Sequence, residues 1–202
     1  MLRLGRLIQP RKETMIRVEG FDVNNEWSSS RNVLFCVEDE QFGEGGFRKA
    51  YKCTSSDENF PGIWLLKKYN DKAKSDFQLL GMEDEEHARK QTQMHTLARN
   101  ITNQMAKKVN TEFGETFTYN KIYFGKIQTV TDTSTQAVTI EQFIEGGPFV
   151  KYMNNTGDIL CDRTLPVVEK SEALAHFSYH VSSRSFYWLI LKALNMTYVI
   201  LK

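Results

Sequence analysis

Hydrophobic and polar positions change rhythm several times along the chain. Residues 1 to 30 are polar and poorly patterned, ending in "WSSSR", and read as a lead-in. From residue 33 short apolar runs begin. "VLFCV" predicts a strand, the glycines at 43 to 46 a turn, and "FRKAYKC", alternating large and charged residues, the returning strand of a hairpin. "GIWLLKKY" predicts a further strand opened by Pro61 and Gly62. Between 83 and about 110 the period lengthens. Met94, Leu97, Ala98, Ile101, Met105 and Val109 fall on one stripe, while Arg99, Asn103, Lys107 and Lys108 fall elsewhere. This predicts a helix with an apolar face, and "EDEE" at 83 to 86 places negative charge where a helix start favours it. That acidic run reads as a solvated helix start and the stripe as core.

Period-two runs then return in "KIYFGKIQTV" and "AVTIEQFI", separated by the polar turn "TDTSTQ". "EGGPF" predicts a loop. "DRTLPVVEKSEALAHFSYH" predicts a loop followed by a helix carrying Ala173, Leu174 and Phe177 at helical spacing. Strands, one long helix, more strands and a last helix make an α+β fold without internal repeats.

Composition narrows the function classes. With 41% hydrophobic and 25% charged residues the chain is a folded globular protein, not a disordered one. A net charge of +1 offers no overall field for nucleic acid or membrane, so anion binding has to be local. Cys36, Cys53 and Cys161 are widely separated and odd in number, which argues against a disulfide framework and for a reducing, cytoplasmic setting. The basic N-terminus lacks the apolar core of a secretory signal. A mitochondrial presequence is an alternative, set back by the early Glu13. The apolar end, "FYWLILKALNMTYVILK", is shorter than the ~20 residues of a membrane span and is interrupted by Lys192 and Asn195. It reads as a buried helix or strand, with a tail anchor as the alternative.

The candidate chemistry lies in "FGEGGFRKAYKC". Glycines let backbone N–H groups approach an anion because no Cβ intervenes. The stretch is not the GxxxxGK[ST] phosphate loop, and Arg48 stands where the GxGxxGxV pattern needs its third glycine. Alone, such a glycine turn between strands is more often an ordinary hairpin than a phosphate site. Lys67 alters that balance, because a lysine on the next strand beside a glycine loop is placed to neutralise nucleotide phosphates.

"FGEGGFRKAYKC", "WLLKKY", "IEQFIEGGPFVKYMNNTG" and "EALAHFSYH" resemble, in this order, motifs of the alpha-type (atypical) protein kinase family. The resemblance covers about residues 20 to 180. It implies a two-lobed kinase-like fold with a complete N-lobe and a truncated C-lobe. The implied boundaries are a lead-in at 1–20, the kinase domain at 21–185 and a divergent apolar tail at 186–202.

By this resemblance Gly43, Gly45, Gly46 and Arg48 cover the phosphates of ATP and Lys67 engages the α- and β-phosphates. Glu141 and Phe143 lie on the segment between lobes, whose backbone meets adenine, and His176 matches one ligand of a structural zinc. The implied cofactors are ATP and magnesium, with zinc in the family but its site incomplete here. The implied partner is a protein substrate phosphorylated on serine or threonine; nucleic acid and membrane are not expected, and oligomeric state stays open. The sequence departs from the family after "HFSYHVSSRSF". No Asp follows Asp162, so the family's catalytic Asp in a D-x-Q-G strand has no counterpart, and the later His and Cys-x-x-x-Cys are absent. A nucleotide-binding pseudokinase or interaction module is therefore the alternative to an active kinase.

Overall fold

The computed structural model describes residues 12–114, 117–128, 135–144, 158–182 and 200–201. Six strands close a barrel: β1 (Lys12–Glu19), β2 (Arg31–Glu44), β3 (Arg48–Ser55), β4 (Ile63–Tyr69), β6 (Ile122–Gln128) and β7 (Thr135–Gln142), in the spatial order β1-β2-β3-β4-β7-β6. All neighbours are antiparallel. The helices are α1 (Asp71–Leu80), α2 (Asp84–Phe113) and α3 (Pro166–Val181), and a separate two-stranded pairing joins β5 (Phe117–Thr118) to β8 (Ile200–Leu201). The α+β expectation holds.

The barrel is filled from alternate positions. Ile16, Val18, Val33, Phe35, Val37, Trp64, Leu66, Val138 and Ile140 pack together with Phe60 and Cys53 inside it. Burial pushes the Cys53 thiol up to about 12, which leaves it an inert core group. Gly125 on β6 has a packing reason: a Cβ there would lie 2.9 Å from Ile16 Cγ2 and 3.0 Å from Val138 Cγ2.

Three elements differ from the pattern reading. Residues 12–19, read as lead-in, form β1, whose buried positions are only Ile16 and Val18, too few to stand out among polar neighbours. Helix α1 was not foreseen because its apolar content is low. It is fixed by its ends, with Asn70 as N-cap and Gly81 in the left-handed region at φ 61°. Helix α2 has the expected span, but its hidden face is partly polar: Thr92, His95, Thr96 and Thr102 are buried beside Ala98, Ile101 and Met105, whereas Met94 and Leu97 are half-buried. The threonine hydroxyls of Thr92 and Thr102 donate to the carbonyls of Ala88 and Ala98, so their burial leaves no orphaned donor. The side chain of Val109, the last of the stripe, lies outside the described residues.

The acidic start of α2 is also more than a solvated end. The Lys126 ammonium on β6 lies 2.6 Å from Glu85, and Asp84 accepts a 3.4 Å bond from the Ala137 N–H on β7. Helix α2 thus docks on β6 and β7 with its first half and on α3 with its second. That second half forms its own core, in which Ala98, Ile101 and Met105 meet Phe117, Val167, Val168 and Leu174.

Candidate functional site

Strands β4 and β7 are buried on both faces, one toward the barrel interior and one toward the outside. Lys67 pairs with Ala50 on β3 and Thr139 on β7, and Leu65 pairs with Lys52 and Glu141. Since side chains alternate along a strand, Lys52, Arg48, Lys67, Tyr69, Thr139 and Glu141 share the outer wall. Three cations and one carboxylate therefore meet on one patch.

Lys67 Nζ donates to Glu141 Oε2 in a close ion pair, with both side chains largely buried. Thr139 Oγ1 donates to Glu141 Oε1 at 3.4 Å and accepts from Arg48 Nη1 at 2.6 Å. Arg48 Nη2 donates to the Tyr69 hydroxyl at 3.2 Å, its guanidinium lies 4.9 Å from the Tyr69 ring centre, and that hydroxyl is 2.8 Å from His87 Nδ1. One polar chain runs from Lys67 to α2.

Burial pushes the Glu141 carboxyl up, but the opposing charge of Lys67, helped by His95 and Arg48, outweighs it and holds the group below the usual carboxylate range. His95 is lowered, chiefly by burial, and its Nε2–H donates to the Asn120 carbonyl at 2.9 Å.

The glycine-rich hairpin rises beside this wall. β2 bulges between Val37 and Gln41 and again between Gln41 and Gly43, so Gly43 is a strand residue opposite Ala50 and the turn narrows to Gly45–Phe47. A Cβ at Gly43 or Gly46 would meet nothing within 4 Å, and at Gly45 only the Arg48 carbonyl at 4.0 Å. None of the three has a positive φ. Neither packing nor backbone conformation within the described chain calls for glycine at these positions.

Glu141 sits inside the sheet between β4 and β6 and presents its side chain, not its backbone, to the site. Phe143 follows β7, donates its N–H to Ile63 O at 2.9 Å, and packs its ring against Phe42, with Lys52 Nζ 4.8 Å from both ring centres. His176 lies apart, exposed on α3. Among the described residues no three His, Cys, Asp or Glu side chains gather to hold a metal. The pattern reading missed Tyr69, Thr139, His87 and His95. Tyr69 and Thr139 could have been found from strand parity, two positions from Lys67 and Glu141. No sequence signal joins His87 or His95 to strands so far away.

A strand lysine held by a buried glutamate, under a glycine hairpin and over a barrel core, is the arrangement of a kinase-type domain, and comparison with solved structures agrees. The chain belongs to the alpha-kinase family, whose model matches residues 43–192. It is similar to the alpha-kinase domain of myosin-II heavy chain kinase A in complex with AMP-PNP, at 20% identity and a TM-score of 0.67, over 88% of this chain and 76% of that one. The apoenzyme of the same domain gives 19% identity and a TM-score of 0.66, over 88% and 77%. Its ADP complex gives 18% identity and a TM-score of 0.65, over 88% and 76%. A comparison with curated proteins found no match. Among the described residues no helix is long and apolar enough to cross a membrane.

Proposed function

We propose that this chain binds ATP on the outer wall of β3, β4 and β7, as the nucleotide-holding part of an alpha-type serine/threonine protein kinase acting on a cytoplasmic protein substrate. The observation that carries the reading is the hairpin itself: three glycines with open space above them stand beside Arg48 and Lys67, both already fixed by buried partners. Cations held in place before a polyanion arrives need little reorganisation to bind it. In this reading Lys67 and Arg48 face the phosphates, Gly43, Gly45 and Gly46 let the backbone approach them, and Phe42 and Phe143 flank the base. The resemblance to structures holding AMP-PNP and ADP supports the same ligand class.

Among the described residues the groups present fit a nucleotide but gather no metal site. Glu141 is committed to Lys67, and Asp162 takes bonds from the Thr164 N–H at 2.9 Å and hydroxyl at 2.8 Å. Glu169 and Glu172 are exposed on α3. No transfer step is assigned to magnesium or zinc. Nucleotide binding without transfer is the second reading, because Glu141, the carboxylate beside Lys67, is already bonded to it. ATP positioned by Lys67 and the hairpin alone is stabilised equally in ground and transition states, so binding does not by itself accelerate transfer.

Calorimetry with AMP-PNP and magnesium tests the site. Lys67→Ala combined with Glu141→Gln, which avoids a buried unpaired carboxylate, is expected to weaken binding about ten- to a hundredfold, the loss of one charge-assisted contact. Unchanged affinity overturns the site. With labelled ATP, the purified chain separates the two readings: autophosphorylation abolished by the same double variant supports the kinase, and binding without transfer supports the second reading.

A further inference from the structure

Asn70 follows β4 directly, three residues after Lys67, and is buried although polar, at 8% exposure. Its Oδ1 accepts the Ala73 N–H at 2.9 Å, which caps α1 and fixes the orientation of the amide. The Nδ2 group must then face the other way. There it meets the Gly45 and Gly46 carbonyls at 3.4 and 3.3 Å and Glu44 Oε1 at 3.4 Å. The Asn70 main-chain N–H also donates to the Phe47 carbonyl at 3.0 Å. One residue thus joins the tip of the glycine hairpin, the end of the lysine strand and the start of α1.

In a planar trans peptide the N–H points opposite to the preceding carbonyl. With the Gly45 and Gly46 carbonyls turned in toward Asn70, the N–H groups of Gly46 and Phe47 are turned outward. Such consecutive outward donors are what an anion binds. We propose that Asn70 is a positioning residue for the phosphate loop: its side-chain amide holds two carbonyls inward and thereby aims the N–H groups of Gly46 and Phe47 at the nucleotide phosphates. This rests on the ATP reading given above and names a residue outside the motifs that suggested it.

Three replacements separate the clasp from the helix cap. Asn70→Ser and Asn70→Asp keep an N-cap oxygen but lose the amide donor, and Asp adds a charge facing two carbonyls; Asn70→Ala loses cap and clasp together. The readouts are calorimetric affinity for magnesium AMP-PNP and for adenosine, backbone ¹⁵N order parameters at Gly46 and Phe47 without nucleotide, and thermal midpoint. Asn70→Ser is expected to melt close to wild type and Asn70→Asp lower, because its carboxylate also faces Glu44 Oε1. Both variants are expected to show lower order parameters at the two amides and to bind AMP-PNP about tenfold more weakly with adenosine affinity unchanged. Wild-type order parameters and AMP-PNP affinity in Asn70→Ser overturn the proposal, and so does an equal loss for AMP-PNP and adenosine, which marks a general structural role. Should the wild-type chain bind neither ligand, the ATP reading fails. The order parameters then still decide whether Asn70 holds the loop.

Discussion

The two faces of β4 and β7 use the same backbone for opposite purposes. Facing inward, Trp64, Leu66, Val138 and Ile140 are apolar and sealed in the barrel core. Facing outward one residue away, Lys67, Thr139 and Glu141 are charged or polar and nearly as well hidden. The sealed stretch of the inner face carries no charge; Lys68, in line with Trp64 and Leu66, comes where that stretch ends and lies over the Tyr51 ring. The outer face keeps its charges by pairing each with another, through Lys67, Glu141, Thr139, Arg48 and Tyr69 in turn. Stability and chemistry thus occupy alternate residues of one strand, and each is open to separate attack.

The largest effect belongs to the inner face. Trp64→Ala removes a fully buried ring and its Nε1–H bond to the Pro61 carbonyl. It is expected to cost about 3–5 kcal/mol of unfolding free energy, as for other large-to-small core changes. Urea denaturation measures this. A loss below about 1 kcal/mol would show that the inner face is not the main source of stability.

On the outer face, Lys67→Ala leaves Glu141 buried without its partner and is expected to cost about 3 kcal/mol. The added Glu141→Gln should recover more than half, while nucleotide affinity stays as low as in the single variant. The same urea titrations, run with and without AMP-PNP, resolve the two quantities. Failure of the double variant to recover stability would mean that the pair stabilises the sheet through more than charge balance.

The smallest effect is one of pH. His95 is depressed in the folded chain, so between its folded value and the ordinary ~6.5 the unfolded chain binds the extra proton. Stability should therefore fall as pH drops through 6.5. Glu141 is also depressed, and its contribution should be lost further down, as pH falls below about 4.5 toward its folded value. His95→Gln, which keeps a donor for the Asn120 carbonyl, should flatten the first decline and leave the second. Thermal melts between pH 7 and 4 check this, and an unchanged slope near pH 6 in His95→Gln would remove His95 as its source.

Much of this was legible beforehand, for reasons that differ by element. Strands β2 and β4 announce themselves as short apolar runs and β3 by its alternation, with glycine or proline punctuating them. Helix α2 was visible through its stripe, but the buried threonines and His95 were not. Their burial depends on bonds to the helix's own carbonyls and to Asn120, which hydropathy does not encode. Lys67 and Arg48 were named from the glycine motif. Glu141 was named too, though for its backbone, since the pairing of Leu65 with Glu141 lies in sheet register rather than in sequence spacing. Asn70 gave no signal, since the helix it caps was itself not foreseen.

Helix α2 has a consequence for how the molecule comes apart. Its 30 residues extend for about 45 Å, and one continuous hydrogen-bonded rod supplies Ala88 to a cluster with Tyr69, Phe77 and Phe124 and, farther along, Met105 to a cluster with Leu174. Loosening either end exposes part of the same rod, so the strain of partial melting is shared between barrel and helices. The two hydrophobic centres should then behave as one cooperative unit, lost in a single transition and not one after the other.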